Sequence, residues 1–191
     1  MLPLPQPYLV NLPHREFVAP RNEHYGVVNP KSLGGVAISD TTEPLDKYLW
    51  QMYNVDNDVF IERQGEQSVK LFETLYPVEW LDFCFDINMN PTVVYVENDK
   101  VFLRFFDTAI DDFSIIEILD AHTPSISLDE YREFNIRNST IILAYMKGTN
   151  LVCRFQHERF GVEHTLKEFT KKYMLWRIGR TVDNRFGFYV R

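Results

Sequence analysis

Runs of β-branched and aromatic residues, separated by short polar turns, dominate the chain beyond residue 57. Residues 90–105 contain one such run, a turn at Asn98-Asp99 and a second run that ends on Arg-Phe. Residues 138–155 repeat this order, with two additional residues at the turn, and also end on Arg-Phe. The pattern is typical of a β-hairpin. Its recurrence predicts one structural unit used twice, unless common hairpin residues have produced the likeness by coincidence.

The hydrophobic pattern of the other segments mostly favours strands, with helical spacing in a few places. Strands are predicted at 58–63, 69–72, 80–87, 114–119, 175–178 and 186–190. Helices are predicted at 44–54, at 163–173 and, after a capping box that starts at Ser127, at about 128–135. The predicted fold is therefore mainly β, with antiparallel hairpins forming a sandwich, a small barrel or propeller-like blades, and two or three short helices.

The first part of the chain has a different composition. Six of the ten prolines lie in the first 30 residues, and proline restricts itself and the preceding residue to extended conformations. We therefore predict an extended Pro-rich arm over 1–43 and a β-rich domain over 44–191. The arm is too apolar for a solvated linker, so we expect it to lie across its own domain or a neighbouring subunit. Its candidate contact residues are Tyr8, Leu9, Val10 and Phe17.

Composition narrows the possible functions. A hydrophobic content of 45% is enough for a packed core. The net charge of −7 argues against nucleic acid as a partner, because binding a duplex requires a concentrated Lys/Arg surface. No apolar run approaches the roughly 20 residues of a membrane span, and the N-terminus lacks the pattern of a signal peptide. We expect the protein to be made and folded in the cytosol.

Candidate metal and thiol chemistry has simpler explanations. Cys84 and Cys153 lie in apolar strand-like runs, which predicts buried, unpaired thiols. Of the five dispersed histidines, only His157 and His164 are near each other, and structural roles are the expected ones. Oxygen-bearing side chains alternate over 86–90 like the start of a calcium loop, but Pro91 follows at once, which favours an Asx-rich turn. We predict no metal and no cofactor.

No catalytic motif is found. The chain has no Gly-x-Ser-x-Gly, no Gly-rich phosphate loop and no His-Glu-x-x-His. On one strand, Asp82 and Asp86 would lie about 13 Å apart, beyond the separation used by glycosidases. We therefore expect a protein that is not an enzyme. Seven arginines between 132 and 185 make either ordinary ion pairs or the rim of a subunit contact, with Arg154 and Arg159 as the candidates for the contact.

The C-terminal half resembles virion structural proteins of tailed bacteriophages, in the tail-tip and fibre-associated group. The residues that carry the resemblance are Leu128-Asp129-x-x-Arg132, Ala144-Tyr145 and Leu151-x-x-Arg154-x-Gln156-x-x-Arg159-Phe160. The segment 80–106 is similar to the companion hairpin of that group, and the likeness covers roughly 78–191. His157 and Cys153 depart from the pattern, which has Arg and an aromatic residue there. The resemblance implies a structural role in the tail and no catalytic residue.

Three functional hypotheses follow. The first is a virion tail component, made in the host cytoplasm, that sits in a symmetric ring and anchors a neighbouring tail or fibre protein. Its partners would be further copies of itself and other tail proteins. The second is a carbohydrate- or receptor-binding β-module, in which Trp50, Trp80 and Trp176 stack on sugars. The third, a small glycoside hydrolase, would need two facing carboxylates within about 10 Å.

Overall fold

A computed structural model describes residues 9–12, 15–18, 33–38, 47–63, 66–86, 90–129, 140–180 and 186–191. These residues form sixteen β-strands and one short 3-10 helix at Gln156–Glu158. The first eight strands are β1 Leu9–Leu12, β2 Arg15–Val18, β3 Leu33–Ile38, β4 Lys47–Val55, β5 Asp58–Arg63, β6 Val69–Glu73, β7 Val78–Phe85 and β8 Pro91–Glu97. The other eight are β9 Lys100–Asp107, β10 Asp112–Ile118, β11 Ala121–Asp129, β12 Thr140–Lys147, β13 Asn150–Phe155, β14 His164–Glu168, β15 Leu175–Arg180 and β16 Phe186–Val190.

Strands that follow one another in the chain pair with one another in space. They form three four-stranded antiparallel sheets: sheet I (β3–β6), sheet II (β7–β10) and sheet III (β11–β14). Two further antiparallel pairs, β1–β2 and β15–β16, are two-stranded. The second and third strands of each sheet are joined by two residues, and positive φ angles at Asp56, Asn98, Asp99 and Gly148 shape these tight turns.

The sheets are stacked face to face in a row. One apolar cluster lies between sheets I and II and includes Met52, Val59, Leu81 and Tyr95. A second lies between sheets II and III, and a third lies between sheet III and the β15–β16 pair. The leading strands, meaning the first strand of each sheet and β15, are neighbours: β3 contacts β7, β7 contacts β11, and β11 contacts β15. Such a row of meanders resembles consecutive blades of a β-propeller.

The stacking explains the hydrophobic pattern of the central strands. In β12, six consecutive residues from Ile141 to Met146 are buried, because both faces of sheet III are covered. In β8, Thr92 to Tyr95 are buried for the same reason. The last strand of each sheet is largely exposed and carries charged residues, as in β6 and β14. Burial therefore decreases from the leading and second strands toward the last one.

The mainly β, antiparallel character predicted from the sequence is confirmed, and the described strands close no barrel. The predicted helices are wrong where they can be checked: 47–54 of the first lies in strand β4, and 164–168 of the second is strand β14. The third begins with residues 128–129 at the end of β11, and its remainder lies outside the described residues. The spacing of the apolar residues produced a false helical period in β4, although burial alternates over 51–55, with Met52 and Asn54 buried and Gln51 and Val55 exposed.

The two similar hairpins occupy the same place in consecutive sheets. Segment 90–105 contains β8 and β9, and segment 138–155 contains β12 and β13, the second and third strands of sheets II and III. The sequence suggested that the later segment has two additional residues at its turn. Both turns have two residues, so that placement is wrong. The additional residues precede β12 instead. Within the predicted arm, β3 pairs with β4 as part of sheet I, and β1 pairs with β2.

Candidate functional site

A cleft of about 260 Å³ opens where three leading strands meet at one end of the row. It lies at the starts of β7, β11 and β15, beside the end of β8. Its walls are mainly apolar, and the residues that line it are Glu79, Trp80, Val96, Thr123, Pro124, Met174, Leu175 and Arg191. We call it the Trp80 cleft. Sheet II, sheet III and the β15–β16 pair all contribute to it, so its shape depends on how they stack.

Side chains, rather than strand pairing, connect the leading strands at the cleft. The Trp80 indole Nε1 donates a hydrogen bond to the carbonyl of Pro124, with an N···O distance of 3.1 Å. The Thr123 hydroxyl accepts a hydrogen bond from the backbone N–H of Leu175 at 3.0 Å. Each bond crosses from one sheet to the next, because a leading strand has no ladder partner on that side. The cleft walls are therefore fixed by polar contacts behind an apolar surface.

A buried carboxylate continues this connection beyond the cleft. Asp82 is 3% exposed, and its Oδ2 accepts hydrogen bonds from the Ser125 hydroxyl at 3.1 Å and the Ile126 N–H at 3.0 Å. The same Ser125 hydroxyl accepts a bond from the Ile178 N–H at 3.0 Å. One chain of hydrogen bonds thus joins β7, β11 and β15. Asp82 is already occupied by these structural donors, which leaves it poorly placed for a hydrolytic pair with Asp86.

The chemistry of the Trp80 cleft is that of a binding site. Its apolar walls suit an apolar side chain or the flat face of a ring, since aromatic and aliphatic surfaces gain most from excluding water. Glu79 and Arg191 add one group of each charge to the lining. The Met174 side chain is half exposed and lies against open solvent. The cleft offers contact surface and orientation.

A second cluster, the Arg154 corner, lies in sheet III and consists of Tyr145, Lys147, Arg154 and Glu163 with the carbonyl of Phe160. The Arg154 guanidinium donates to the Tyr145 hydroxyl at 2.9 Å, to the Phe160 carbonyl at 2.8 Å and to the Glu163 carboxylate at 2.7 Å. Lys147 and the Tyr145 hydroxyl also donate to Glu163, at 2.9 and 2.8 Å. Only 16% of the Arg154 side chain is exposed, so this arginine serves its own chain.

Protonation in the Arg154 corner is set by these contacts. Burial of the Glu163 carboxyl acts to raise its pKa, but hydrogen bonds from Lys147, Arg154 and Tyr145 outweigh it and lower that pKa to about 2. Burial raises the pKa of the Tyr145 phenol, so it remains a hydrogen-bond donor at neutral pH. The carboxylate is thus held in its charged form as the shared acceptor of the corner.

The chain after β13 locks sheet III to sheet II. Arg159 and Phe160 both have left-handed backbone conformations, with φ of 52° and 54°, which is rare for a large aromatic residue. This sharp turn places the Phe160 ring, which is fully buried, against Phe105 of sheet II at 5.0 Å between centroids. Arg159 makes an ion pair with the buried Asp107, also of sheet II. Gln156 accepts a weaker bond from the Ile141 N–H at 3.4 Å.

The predicted contact residues fall into two groups. Leu9, Val10 and Phe17 lie on β1 and β2, but their side chains and all of Tyr8 lie outside the described residues. Arg154 is enclosed in its corner, whereas 63% of the Arg159 side chain is exposed beside its ion pair. Trp80 lines the cleft, while the side chains of Trp50 and Trp176 are not among those described. Among the described side chains, Arg154, Arg159 and Trp80 do not lie in one site.

The thiols and the candidate metal ligands have structural roles. Cys84 and Cys153 are buried and free, as predicted. Both carboxylate oxygens of Asp86 accept hydrogen bonds from Asn90, one from its N–H at 2.8 Å and one from its side-chain amide at 3.2 Å. His164 contacts Glu158 at 2.7 Å and His157 contacts Thr140 at 3.2 Å. Among the described residues, no group of three or more His, Cys, Asp or Glu is arranged to hold a metal ion.

Sequence reasoning missed several residues of these sites. Ser125, Thr123 and Glu163 carry central hydrogen bonds, yet each belongs to a type that is common on surfaces. For Glu163 the sequence offered one signal of an ion pair: it is a carboxylate that follows closely after Arg154 and Arg159, in an arginine-rich segment. Ser125 had none, because its partner Asp82 lies 43 residues away.

Comparisons with known proteins give no family model, no curated protein and no solved structure that matches this chain. Within the described residues, no helix has the length and apolar character needed to cross a membrane. The function is therefore argued from the geometry above and from the resemblance noted in the sequence.

Proposed function

We propose that this chain is a structural component of a bacteriophage virion tail, which sits in a symmetric ring and anchors a neighbouring tail or fibre protein. The role is non-catalytic, and the partners are further copies of the chain and other tail proteins. The proposal places the protein in the virion after its synthesis in the host cytoplasm.

The observation that carries the proposal is the set of contacts made by the residues on which the phage resemblance depends. Tyr145 and Arg154 form the Arg154 corner, and Gln156, Arg159 and Phe160 fix the turn that packs sheet III on sheet II. These side chains are engaged by their own chain, either within sheet III or in its contact with sheet II. Residues that make contacts within the fold are typical of a structural protein. A catalytic motif would include side chains that are available to a substrate.

The Trp80 cleft supports the anchoring part of the proposal. A protein–protein contact concentrates its energy in a few apolar or aromatic side chains that fill pockets on the partner. A volume of about 260 Å³ accommodates one or two such side chains. Because sheets II and III and the β15–β16 pair all line the cleft, an anchored partner would contact three units of the row at once. We assign the cleft to an apolar anchor side chain of the neighbouring tail protein.

Native mass spectrometry of the purified full chain tests the ring. The expected result is a discrete assembly whose mass is a fixed multiple of 22.6 kDa, visible as rings by negative-stain electron microscopy. A chain that stays at the monomer mass at micromolar to millimolar concentrations would contradict the proposal, because a ring component must bind its own copies.

The anchoring role is tested by substitutions in the Trp80 cleft that leave the ring intact. Met174→Glu places a charge on a side chain that is half exposed, so folding should be preserved while an apolar anchor is repelled. Leu166→Glu is the matched control, since Leu166 is similarly exposed on β14 away from the cleft. In virions assembled with each variant, loss of the adjacent tail or fibre protein should follow Met174→Glu alone. Equal retention of that protein by both variants would remove the cleft from the contact.

A carbohydrate-binding module is the second candidate, and Trp80 in the cleft is the observation that favours it. Sugars stack on aromatic rings and need polar groups at the ring edge, and Glu79, Thr123 and Arg191 are such groups in the lining. Titration of a panel of mono- and oligosaccharides with Trp fluorescence distinguishes the two candidates. Saturable quenching that disappears in Trp80→Ala would favour sugar binding over a protein anchor.

A further inference from the structure

The β15–β16 pair is a half-complete sheet. Sheets I, II and III each have four strands, while β15–β16 and β1–β2 have two strands each. The pair stacks on sheet III as another sheet would, with Leu175 and Ile178 buried and Phe188 and Val190 packed beside them. Its leading strand β15 contacts β11 in the manner of the other leading strands. In position it is thus the first and second strand of a fourth sheet.

The composition of β16 sets it apart from the last strands of the complete sheets. Its sequence, Phe-Gly-Phe-Tyr-Val, contains no charged residue. The last strands of the complete sheets all carry charges, as in Val-Lys-Leu-Phe-Glu of β6 and His-Thr-Leu-Lys-Glu of β14. Charged residues on an edge strand prevent unwanted pairing, and an uncharged apolar edge is a surface for adding a strand. Among the described residues, β16 pairs with β15 alone.

Part of the backbone of β16 points toward this edge, away from β15. Arg191, directly after β16, both donates to and accepts from Met174, at 2.9 and 2.8 Å. Residues of an antiparallel strand alternate between bonding to one neighbour and pointing away from it. The extra residue of the bulge lies on β15, between Leu175 and Arg177, so the alternation along β16 continues. Val190 and Phe188 therefore direct their N–H and C=O groups away from β15.

The β1–β2 hairpin has the size and composition to fill this edge. Its strands have four residues each, against five in β16. The sequence of β1, Leu-Val-Asn-Leu, is uncharged like the β16 edge that it would meet, while Arg-Glu-Phe-Val of β2 carries two charges like a last strand. Two strands added to two strands give the four of every other sheet. The hairpin also contains Leu9, Val10 and Phe17, three of the contact residues predicted from the sequence.

We propose that the β1–β2 hairpin of one copy adds to the β16 edge of a second copy and completes a four-stranded sheet with β1 beside β16. This inference rests on the proposed ring, and it names the contact that builds it. Each copy gives its hairpin to one neighbour and its edge to the other. Such a head-to-tail contact joins different surfaces of the two partners and closes into a ring when the rotation between copies allows it. Strand addition of this kind gains main-chain hydrogen bonds along the whole edge.

Two variants remove opposite halves of the contact. A chain lacking residues 2–20 has no hairpin but keeps the edge. Phe188→Pro lacks the N–H that points outward from β16 and retains the hairpin, and proline at an outward-facing edge position leaves the bonds to β15 in place. Phe188→Leu is the matched control, because it loses the same aromatic ring but keeps the N–H. Val190→Pro repeats the block at the second outward position if Phe188→Pro proves unstable in thermal unfolding.

Native mass spectrometry of each variant alone and of equimolar mixtures gives the result. Each of the two variants should be monomeric alone, Phe188→Leu should assemble like the natural chain, and the mixture should yield a dimer with one copy of each variant. Suppose that the natural chain assembles, but that one of the variants also assembles alone or the mixture gives no mixed dimer. The hairpin exchange would then be overturned, while the ring proposal would stand. A monomeric natural chain would overturn both. In that case, a lower melting temperature for the truncated chain would indicate that the hairpin pairs within its own copy.

Discussion

The hairpins β8–β9 and β12–β13 have the same framework and stabilise their central arginines in different ways. Arg104 pairs with Val93 and Arg154 pairs with Leu143, in each case four residues away from the pair that closes the turn. Arg154 is surrounded by acceptors: the Tyr145 hydroxyl, the Phe160 carbonyl and the Glu163 carboxylate. The guanidinium carbon of Arg104 lies over the Phe113 ring at 3.7 Å and over Phe72 at 5.1 Å. One of its nitrogens, Nη1, is buried without a hydrogen-bond partner.

The difference shows that one ladder position can be filled by the same residue for unrelated physical reasons. In sheet III the guanidinium works through directed hydrogen bonds to a charged acceptor, which are about twice as strong as neutral ones. In sheet II it is a flat cation between rings, stabilised by stacking and by its attraction to aromatic faces. Burial also lowers the pKa of Arg104, as expected for a charge with little compensation. The two hairpins should therefore respond very differently to equal substitutions.

The largest effect is expected where the chain leaves each third strand. Phe160→Ala removes a fully buried ring from the contact between sheets II and III and should destabilise the protein by about 3–5 kcal/mol. Ile110→Ala, in the connection after β9, is the control, since Ile110 is 60% exposed and its loss should change stability by less than about 0.5 kcal/mol. Urea unfolding followed by Trp fluorescence measures both. Similar losses would mean that the two connections contribute equally to the free energy of unfolding.

The next effect concerns Arg154 itself. Arg154→Leu leaves the Tyr145 hydroxyl and the Glu163 carboxylate without their shared donor, so we expect a loss of about 2–3 kcal/mol. In a double-mutant cycle with Glu163→Gln, the loss of the double variant should be smaller than the sum of the single losses, because both substitutions remove the same Arg154–Glu163 ion pair. Additive losses in that cycle would mean that the two side chains do not depend on each other.

The equal substitution in sheet II should be milder. Arg104→Leu removes ring contacts worth about 0.5–2 kcal/mol but strands no carboxylate, and it eliminates a buried nitrogen that lacks a partner. We expect a net loss of about 1 kcal/mol or less. The comparison with Arg154→Leu, in the same urea assay, decides the point: equal losses at both positions would contradict the distinction between the hairpins.

A smaller, pH-dependent difference should come from Glu163. Its pKa in the folded protein is about 2, below the 4.5 of an unperturbed glutamate, so the unfolded chain binds its proton first as the pH falls. The stability that Glu163 contributes is therefore complete above about pH 4.5 and is lost between that pH and about 2. Urea midpoints measured from pH 6 to pH 2 should fall less steeply for Glu163→Gln than for the natural chain. Parallel curves would show that the corner does not lower this pKa.

The smallest difference is expected between the two thiols. Burial raises the pKa of Cys84 in sheet II well above its usual value, and it raises that of Cys153 in sheet III to about 11, with a further contribution from Glu158. Both thiols should therefore stay protonated and react slowly with a maleimide or a disulfide reagent at pH 8 until denaturant is added. Cys84→Ala and Cys153→Ala assign each rate. Rapid reaction of either thiol in the native protein would contradict its buried placement.

Sequence patterns predicted local features and missed those made by distant residues. The strands, the hairpins and the buried thiols depend on residues within a few positions of one another, and they were readable. The stacking of the sheets was not, because Asp82 and Ser125 are separated by 43 residues and neither type indicates a buried contact. Strand β4 was mistaken for a helix because its apolar residues fall at helical spacing, although burial alternates over 51–55 as in a strand with one covered face.

The burial of β12 on both faces has a consequence for how the protein avoids misfolding. In a strand with one covered face, a slip of one residue exposes the apolar side chains, so the pattern itself corrects the error. Over Ile141 to Met146 the strand is apolar on both faces. A strand that slipped by one residue would therefore bury almost as much apolar surface as the native strand. The correct alignment must come from the tight turn at Gly148, with its φ of +61°, and from the Arg154 corner. Changes to this turn should therefore increase misaligned folding, which would be seen as aggregation during refolding, even where they lower the free energy of unfolding only slightly.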